Sequence, residues 1–200
     1  QVQSQIALSL PSVKRTHPDY WKISLLMNIF GGSDSLMYTR LRDNLGLVYS
    51  AGFFQTYKWT AGVLYGYIGC KGDKSAPAIA ETIDIMNSLR QDVPKRELEQ
   101  KRLDALNGFV FNVDTPADLV NAYARYYMRN EPLDTLEKIQ DAFFSADKED
   151  LRRLAQKYLD PRKIQIFVVG DKLIKVKNHQ GDESTLEDTL KAMADSLQLP

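Results

Sequence analysis

The chain has 200 residues, 44% of them hydrophobic, which suits one domain built on a single packed core. Its 26 Lys and Arg balance 26 Asp and Glu, so no overall field directs it to nucleic acid or to an anionic membrane. The longest uninterrupted apolar run, Ile166 to Val169, is far short of the roughly 20 residues of a membrane-spanning helix, and the lone Cys70 excludes an internal disulfide framework or a multi-thiolate zinc site.

The first ten residues, QVQSQIALSL, carry no initiator Met and alternate as a strand does over residues 3–10. They read as a cut from a longer protein, with any targeting signal upstream and the compartment left open. SVKRTHP interrupts the strand, and a strongly apolar helix is expected next, with Pro18 in its first turn and Gly31-Gly32 ending it. A second helix, SLMYTRLRDN, is expected to be capped by Ser33 or Asp34 and stopped by Gly46.

From Leu47 the period changes to two, predicting strands at about 47–57 and 61–70 joined by a hairpin at KWT. The aromatic set Phe53, Phe54, Tyr57, Trp59, Tyr65 and Tyr67 on these strands reads as sheet core or sheet cover rather than as a peptide-binding wall. Cys70 closes the second strand with no His beside it, the pattern of a buried thiol rather than a nucleophile.

Amphipathic helices follow. One carries Ile79, Ile83 and Met86; another, opened by Pro94, carries Leu103, Leu106 and Phe109/Val110. Thr115-Pro116-Ala117-Asp118 caps a third with Leu119, Tyr123 and Tyr126 in one stripe, and Leu133, Leu136 and Ile139 mark a shorter fourth. Asp147 and Asp150 open a fifth carrying Leu151, Leu154 and Tyr158, Asp160-Pro161 breaks it, and KIQIFVVGD forms a buried strand. The order predicts an α+β domain, a mainly antiparallel sheet covered by helices, over residues 1–171. Residues 172–200 read as a polar linker with a terminal helix, an appendage or connector.

Five stretches in register, THPDYW, the Gly31-Gly32 pair, LRDNLGLVYS, VPKRELEQKRLDAL and DKEDLRRLAQKYLDPRKIQIFVVGD, are similar to the C-terminal domain of pitrilysin/insulinase-type metallopeptidases. The resemblance is to the class that includes mitochondrial processing peptidase. It implies a half-chamber that encloses a peptide substrate together with a companion domain or subunit carrying H-x-x-E-H and the zinc. This chain has only His17 and His179, neither in that motif, so no cofactor is expected here. His17 reads as a local cap or surface group. The helix lacks the Ser-Arg common in the family, and Pro94 stands where a Thr is frequent.

The resemblance assigns substrate binding to Arg42 and Tyr49, and catalytic assistance to Tyr49. Chemistry agrees: peptide hydrolysis at zinc builds charge on a carbonyl oxygen, which a phenol can stabilise while a guanidinium fork holds a neighbouring carbonyl. Without the resemblance, Arg42 reads as a solvated arginine near a helix C-terminus and Tyr49 as an ordinary strand aromatic. The competing function is an inactive scaffold or interaction subunit of a larger complex. A half-chamber separated from its companion is also expected to pair with a second copy of itself.

Overall fold

In a computed structural model, the described residues are 3–57, 61–111, 113–177 and 183–197. The expected KWT turn, including Trp59, and His179 lie outside them, as do the side chains of Tyr57, Phe109 and Val110.

Strand β1 (Gln3–Ser12) buries Ser4, Ile6, Leu8 and Leu10 and turns Gln5 outward, as a period of two requires. Helix α1 (Tyr20–Gly31) is buried along most of its circumference. Pro18 precedes its first turn instead of sitting in it, because Asp19 holds the N-cap position. His17 serves as the local cap expected of it: its Nδ1 accepts the Asp19 N–H at 3.0 Å. Helix α2 (Leu36–Tyr38) is a single turn that runs on as a π-helical stretch, Thr39–Asn44.

Strands β2 (Val48–Tyr57) and β3 (Gly62–Lys71) pair antiparallel, and β1 joins the other side of β3. Helices α3 (Ser75–Gln91), α4 (Lys95–Phe111), α5 (Pro116–Met128), α6 (Thr135–Ser145) and α7 (Lys148–Tyr158) lead to β4 (Gln165–Val169), which pairs antiparallel with β1. The sheet order is β2-β3-β1-β4. Strands β5 (Lys175–Lys177) and β6 (Glu183–Thr185) form a separate ribbon before α8 (Leu186–Leu197), which lies against α3.

The main core lies between a sheet face and the helices. Ile6, Leu8, Phe53, Leu64 and Ile68 meet Ile23, Leu26, Phe30, Ile79, Met86, Leu151 and Leu154 there. A smaller cluster of Ala122, Tyr126 and Leu136 joins α5 to α6. Thr115 with Asp118, and Asp147 with Asp150, cap α5 and α7 as expected. Of the expected stripes, Tyr126 on α5 and Leu136 and Ile139 on α6 are buried, whereas Leu103 on α4, Leu119 at the start of α5 and Leu133 before α6 are exposed, and Lys101 and Ala122 turn inward. Lys101 is drawn in by the Ser33 carbonyl, to which its ammonium donates at 2.6 Å.

Ion pairs fasten the loops. Asp19 accepts from Tyr158 Oη at 2.9 Å and from Lys157 Nζ at 3.1 Å, joining α1 to α7. Arg15 stacks over Trp21 at 4.3 Å and pairs with buried Glu131 at 2.6 Å, joining the β1–α1 loop to the α5–α6 loop. The thiol of Cys70 is buried 3.6 Å from Ser75 Oγ, and burial pushes its pKa up, which suits the inert thiol expected.

Candidate substrate-binding site

The segment from Ser35 to Ala51 is fixed from one side by packing and from the other by its turn. Met37 and Leu41 are fully buried, which sets the rotation of the helix. Its cap is Ser35, whose hydroxyl accepts the Tyr38 N–H at 3.2 Å, and not Ser33 or Asp34. Asp34 instead takes a left-handed turn, φ 49°, a conformation Asp tolerates, so the chain reaches the cap one residue later. Arg40 pairs with Glu81 of α3 and is a structural arginine.

The helix widens before it ends. Leu45 N–H reaches back to the Arg40 carbonyl at 3.2 Å, a π-type bond of the kind that recurs at functional sites. Gly46 then takes φ +58°, Leu47 N–H closes on the Leu41 carbonyl at 2.8 Å, and the chain leaves as a strand. Glycine is required there because other L-residues pay about 1–2 kcal/mol for that backbone region. Arg42 and Tyr49 thus flank one turn, on the last helical turn and the first strand residues.

No hydrogen bond or cation–ring contact joins their side chains. Among the described residues, Arg42 donates to the hydroxyl of Tyr38, four positions back on its own helix, and its guanidinium lies 5.0 Å from the Tyr38 ring centroid. Tyr49 is 48% exposed, and its hydroxyl makes no hydrogen bond among those residues.

Tyr49 is also the extra residue of a β-bulge. Val48 pairs with Cys70 and Ser50 with Gly69, leaving Tyr49 unmatched. The bulge lets Val48, Ala51 and Phe53 all face the core despite their odd spacing, and it turns both Tyr49 and Ser50 out to solvent. Bulges beside functional sites re-aim side chains in this way.

Beyond Tyr38 lies a notch of about 420 Å³ between the end of α1 and the outer side of β2. Its lining includes Gly32, Asp34, Tyr38, Gly52, Phe54 and Tyr67. Phe54, Tyr65 and Tyr67, expected as core or cover, stand instead on the sheet face opposite the helices, while Phe53 is in the core. Among the described residues, no group of three or more His, Cys, Asp or Glu is arranged to hold a metal ion.

Sequence reasoning missed Tyr38 and the bulge. The i, i+4 spacing of Tyr38 and Arg42 on a helix was the available signal for the first. For the second it was the odd spacing of apolar Val48 and Phe53 on one strand.

The family profile described as the peptidase M16 inactive domain matches residues 1–103. Comparison with curated protein sequences finds no match. Among solved structures, a peptidase M16 inactive domain from Pseudomonas fluorescens superposes with TM-score 0.76 and 22% identity, over 84% of this chain and 41% of that one. A protease from Helicobacter pylori gives TM-score 0.75 and 21% identity over 83% of this chain and 40% of that one. A chain of Complex III2 from Candida albicans gives 0.71 and 10%, over 84% and 42%. The chain therefore spans about two fifths of the length of each of these proteins, and likeness at such identities is one of fold. The antiparallel sheet layered with helices agrees with it, and with the profile match over residues 1–103 the chain belongs to the peptidase M16 inactive-domain family.

Proposed function

We propose that this chain is the substrate-binding, non-metal domain of a zinc metalloendopeptidase of the mitochondrial-processing-peptidase class. It encloses peptides together with a companion H-x-x-E-H domain or subunit that carries the zinc. Residues 1–171 form the domain proper, and 172–200 an appendage or connector. The observation that supports the reading most is Tyr49: a bulge turns it outward beside the Gly46 turn, and its hydroxyl makes no hydrogen bond among the described residues.

An exposed phenol has no protein hydrogen bond to give up when it turns from water toward a substrate carbonyl. In a closed, water-poor chamber its O–H donates to the oxygen on which charge develops, the setting in which one donor has its largest effect. Arg42 presents a planar fork of donors to a second substrate carbonyl once it leaves Tyr38. A zinc ion in the companion domain would supply the Lewis acid, and this chain supplies the second grip on the peptide.

The test is Tyr49→Phe and Arg42→Lys in the protein assembled with its zinc-bearing companion. Loss of one oxyanion donor costs about 10²–10³ in kcat, with stability nearly unchanged because no folded-state bond is lost. Arg42→Lys keeps the charge but loses the fork and raises KM as well.

The second reading, an inactive scaffold subunit, is favoured by one observation: Arg42 is already satisfied by Tyr38 within the domain. The likeness to a chain of Complex III2 is compatible with it. Near-normal turnover in both variants selects this second reading.

A further inference from the structure

We propose that a recess between α1, α4, α5 and α6 is a binding site for an organic carboxylate with an apolar body. Neither Arg42 nor Tyr49 lines it, and its occupant need not be a substrate. The recess has a volume of about 390 Å³, within the range of small-ligand pockets. At roughly 30 Å³ for each water of liquid, that is room for about a dozen non-hydrogen atoms.

Tyr126 of α5 marks the polar end. The residue lines the recess and is 6% exposed, yet its hydroxyl makes no hydrogen bond among the described residues and retains accessible surface. A tyrosine buried to this degree ordinarily finds a partner for its O–H. Burial pushes its pKa up despite the opposing charge of Arg15, so the phenol keeps its proton and calls for an acceptor.

The surrounding charges select the sign of that acceptor. Three arginines, Arg15, Arg125 and Arg129, line the recess against one acid, Asp104. Two of these four are answered within the fold. Arg15 pairs with Glu131 at 2.6 Å, and Asp104 accepts from Gln100 at 2.9 Å with the Lys101 ammonium 3.8 Å away. Arg125, next to Tyr126 in the helix, has no hydrogen-bond or ion-pair partner among the described residues, and Arg129 follows one turn later. The charge left over is therefore positive and stands beside a phenol donor. A carboxylate accepts from both, through charge-assisted bonds and in the planar geometry that a guanidinium fork matches. Trp21, Leu136, Ile139 and Phe143 supply the apolar walls for the rest of the molecule. Gly108 of α4 also lines the recess, and open space lies where its Cβ would be, so the absence of a side chain there keeps the site open.

The test is calorimetric titration of the full 200-residue chain with 4-phenylbutyrate, which carries a carboxylate on an apolar body of about the right size, alongside its primary amide and acetate. The acid is expected to bind roughly tenfold or more tightly than either control, and more weakly as salt is raised. Tyr126→Phe raises Kd about tenfold with the melting temperature unchanged, because no hydrogen bond of the folded chain is lost. Arg125→Gln raises Kd severalfold, whereas Arg96→Gln, an exposed arginine near the other end of α4, leaves it unchanged. Gly108→Leu fills the recess from open space and abolishes binding. A tripeptide ending in Phe identifies the source: tighter binding than 4-phenylbutyrate, lost on amidation of its C-terminus, assigns the carboxylate to a chain end, and weaker binding assigns it to a free acid. Equal affinity for acid and amide, no binding at about 10 mM acid, or affinity for the acid that survives both Tyr126→Phe and Gly108→Leu overturns the proposal.

Discussion

Gly31 closes α1 where the helix meets the edge strand, and replacing it with Ala tests that junction. A Cβ at Gly31 would stand 2.5 Å from the Phe53 carbonyl oxygen and closer still to the Phe53 N and Cβ. Ordinary contact begins near 3.4 Å, so strand or helix must move by about 0.9 Å to clear the oxygen and by more than that to clear the Phe53 N and Cβ. Nothing flexible is available to yield, because the opposing atoms are backbone and Phe53 is fully buried against Phe30, 4.9 Å away. Overpacking of a well-packed core costs about 1–3 kcal/mol, and a clash with main chain belongs at the upper end. At about 2–4 °C per kcal/mol for a chain of this size, the melting temperature should fall by roughly 6–12 °C. Gly32→Ala is the control: its nearest neighbour is the Asn28 carbonyl oxygen at 3.0 Å and its φ is −72°, so a shift of a few tenths of an ångström relieves it. Circular-dichroism melts of both variants decide the matter. A Gly31→Ala protein that melts within about 2 °C of the parent, or no lower than Gly32→Ala, refutes the close approach of helix end to strand.

Gly108 on α4 has open space where a Cβ would go, so Gly108→Ala should stabilise the protein by about 0.8–1 kcal/mol, read as a higher urea midpoint. Burial pushes the Asp19 carboxyl up, but hydrogen bonds from Tyr158 and Lys157 and the charges of Lys157 and Arg153 outweigh it and leave Asp19 below its ordinary pKa. The side-chain hydrogen bonds from Arg162 do the same for Asp160, against burial and with help from the Arg162 backbone N–H and the charges of Arg162 and Arg90. Both groups are more acidic folded than unfolded, so their stabilisation is complete above about pH 5 and is lost as pH falls through the folded values. Urea midpoints should drop between pH 5 and pH 3, less steeply in Asp19→Asn; a flat profile contradicts the assignment. The isolated chain should take up no stoichiometric zinc, cleave no peptide and self-associate, with calorimetry, a peptide assay and sedimentation as the checks. Tight one-to-one zinc with activity, or a strict monomer that ignores its companion domain, counts against the half-chamber.

Element order was legible in the sequence because the punctuation is local. Gly46 fits the left-handed turn, Thr115 and Asp147 supply their own caps, and the change of period at Leu47 marks the strand. What stayed hidden depends on partners distant in sequence. Leu103 was expected inside and lies outside because the face of α4 that turns inward includes Lys101, which the Ser33 carbonyl holds across 68 positions. Period two separates Phe53 from Phe54 correctly, but it does not tell which face the helices cover and which stays bare. At the candidate site Arg42 and Tyr49 were legible through family resemblance, whereas the Tyr38 tether and the bulge follow from geometry.

The junction of Gly31 with Phe53 also bears on how a guest is read. An uncovered edge strand invites another chain to zip onto it through main-chain bonds, which every sequence can offer alike. Here the helix end covers the main chain of β2 at its centre, so an indiscriminate ladder along the full strand is denied. Under the peptide-binding role proposed above, recognition on this side then falls to exposed side chains such as Arg42, whose positions tolerate exchange without disturbing the core. The taste of the domain can change by surface substitution while its framework stays fixed.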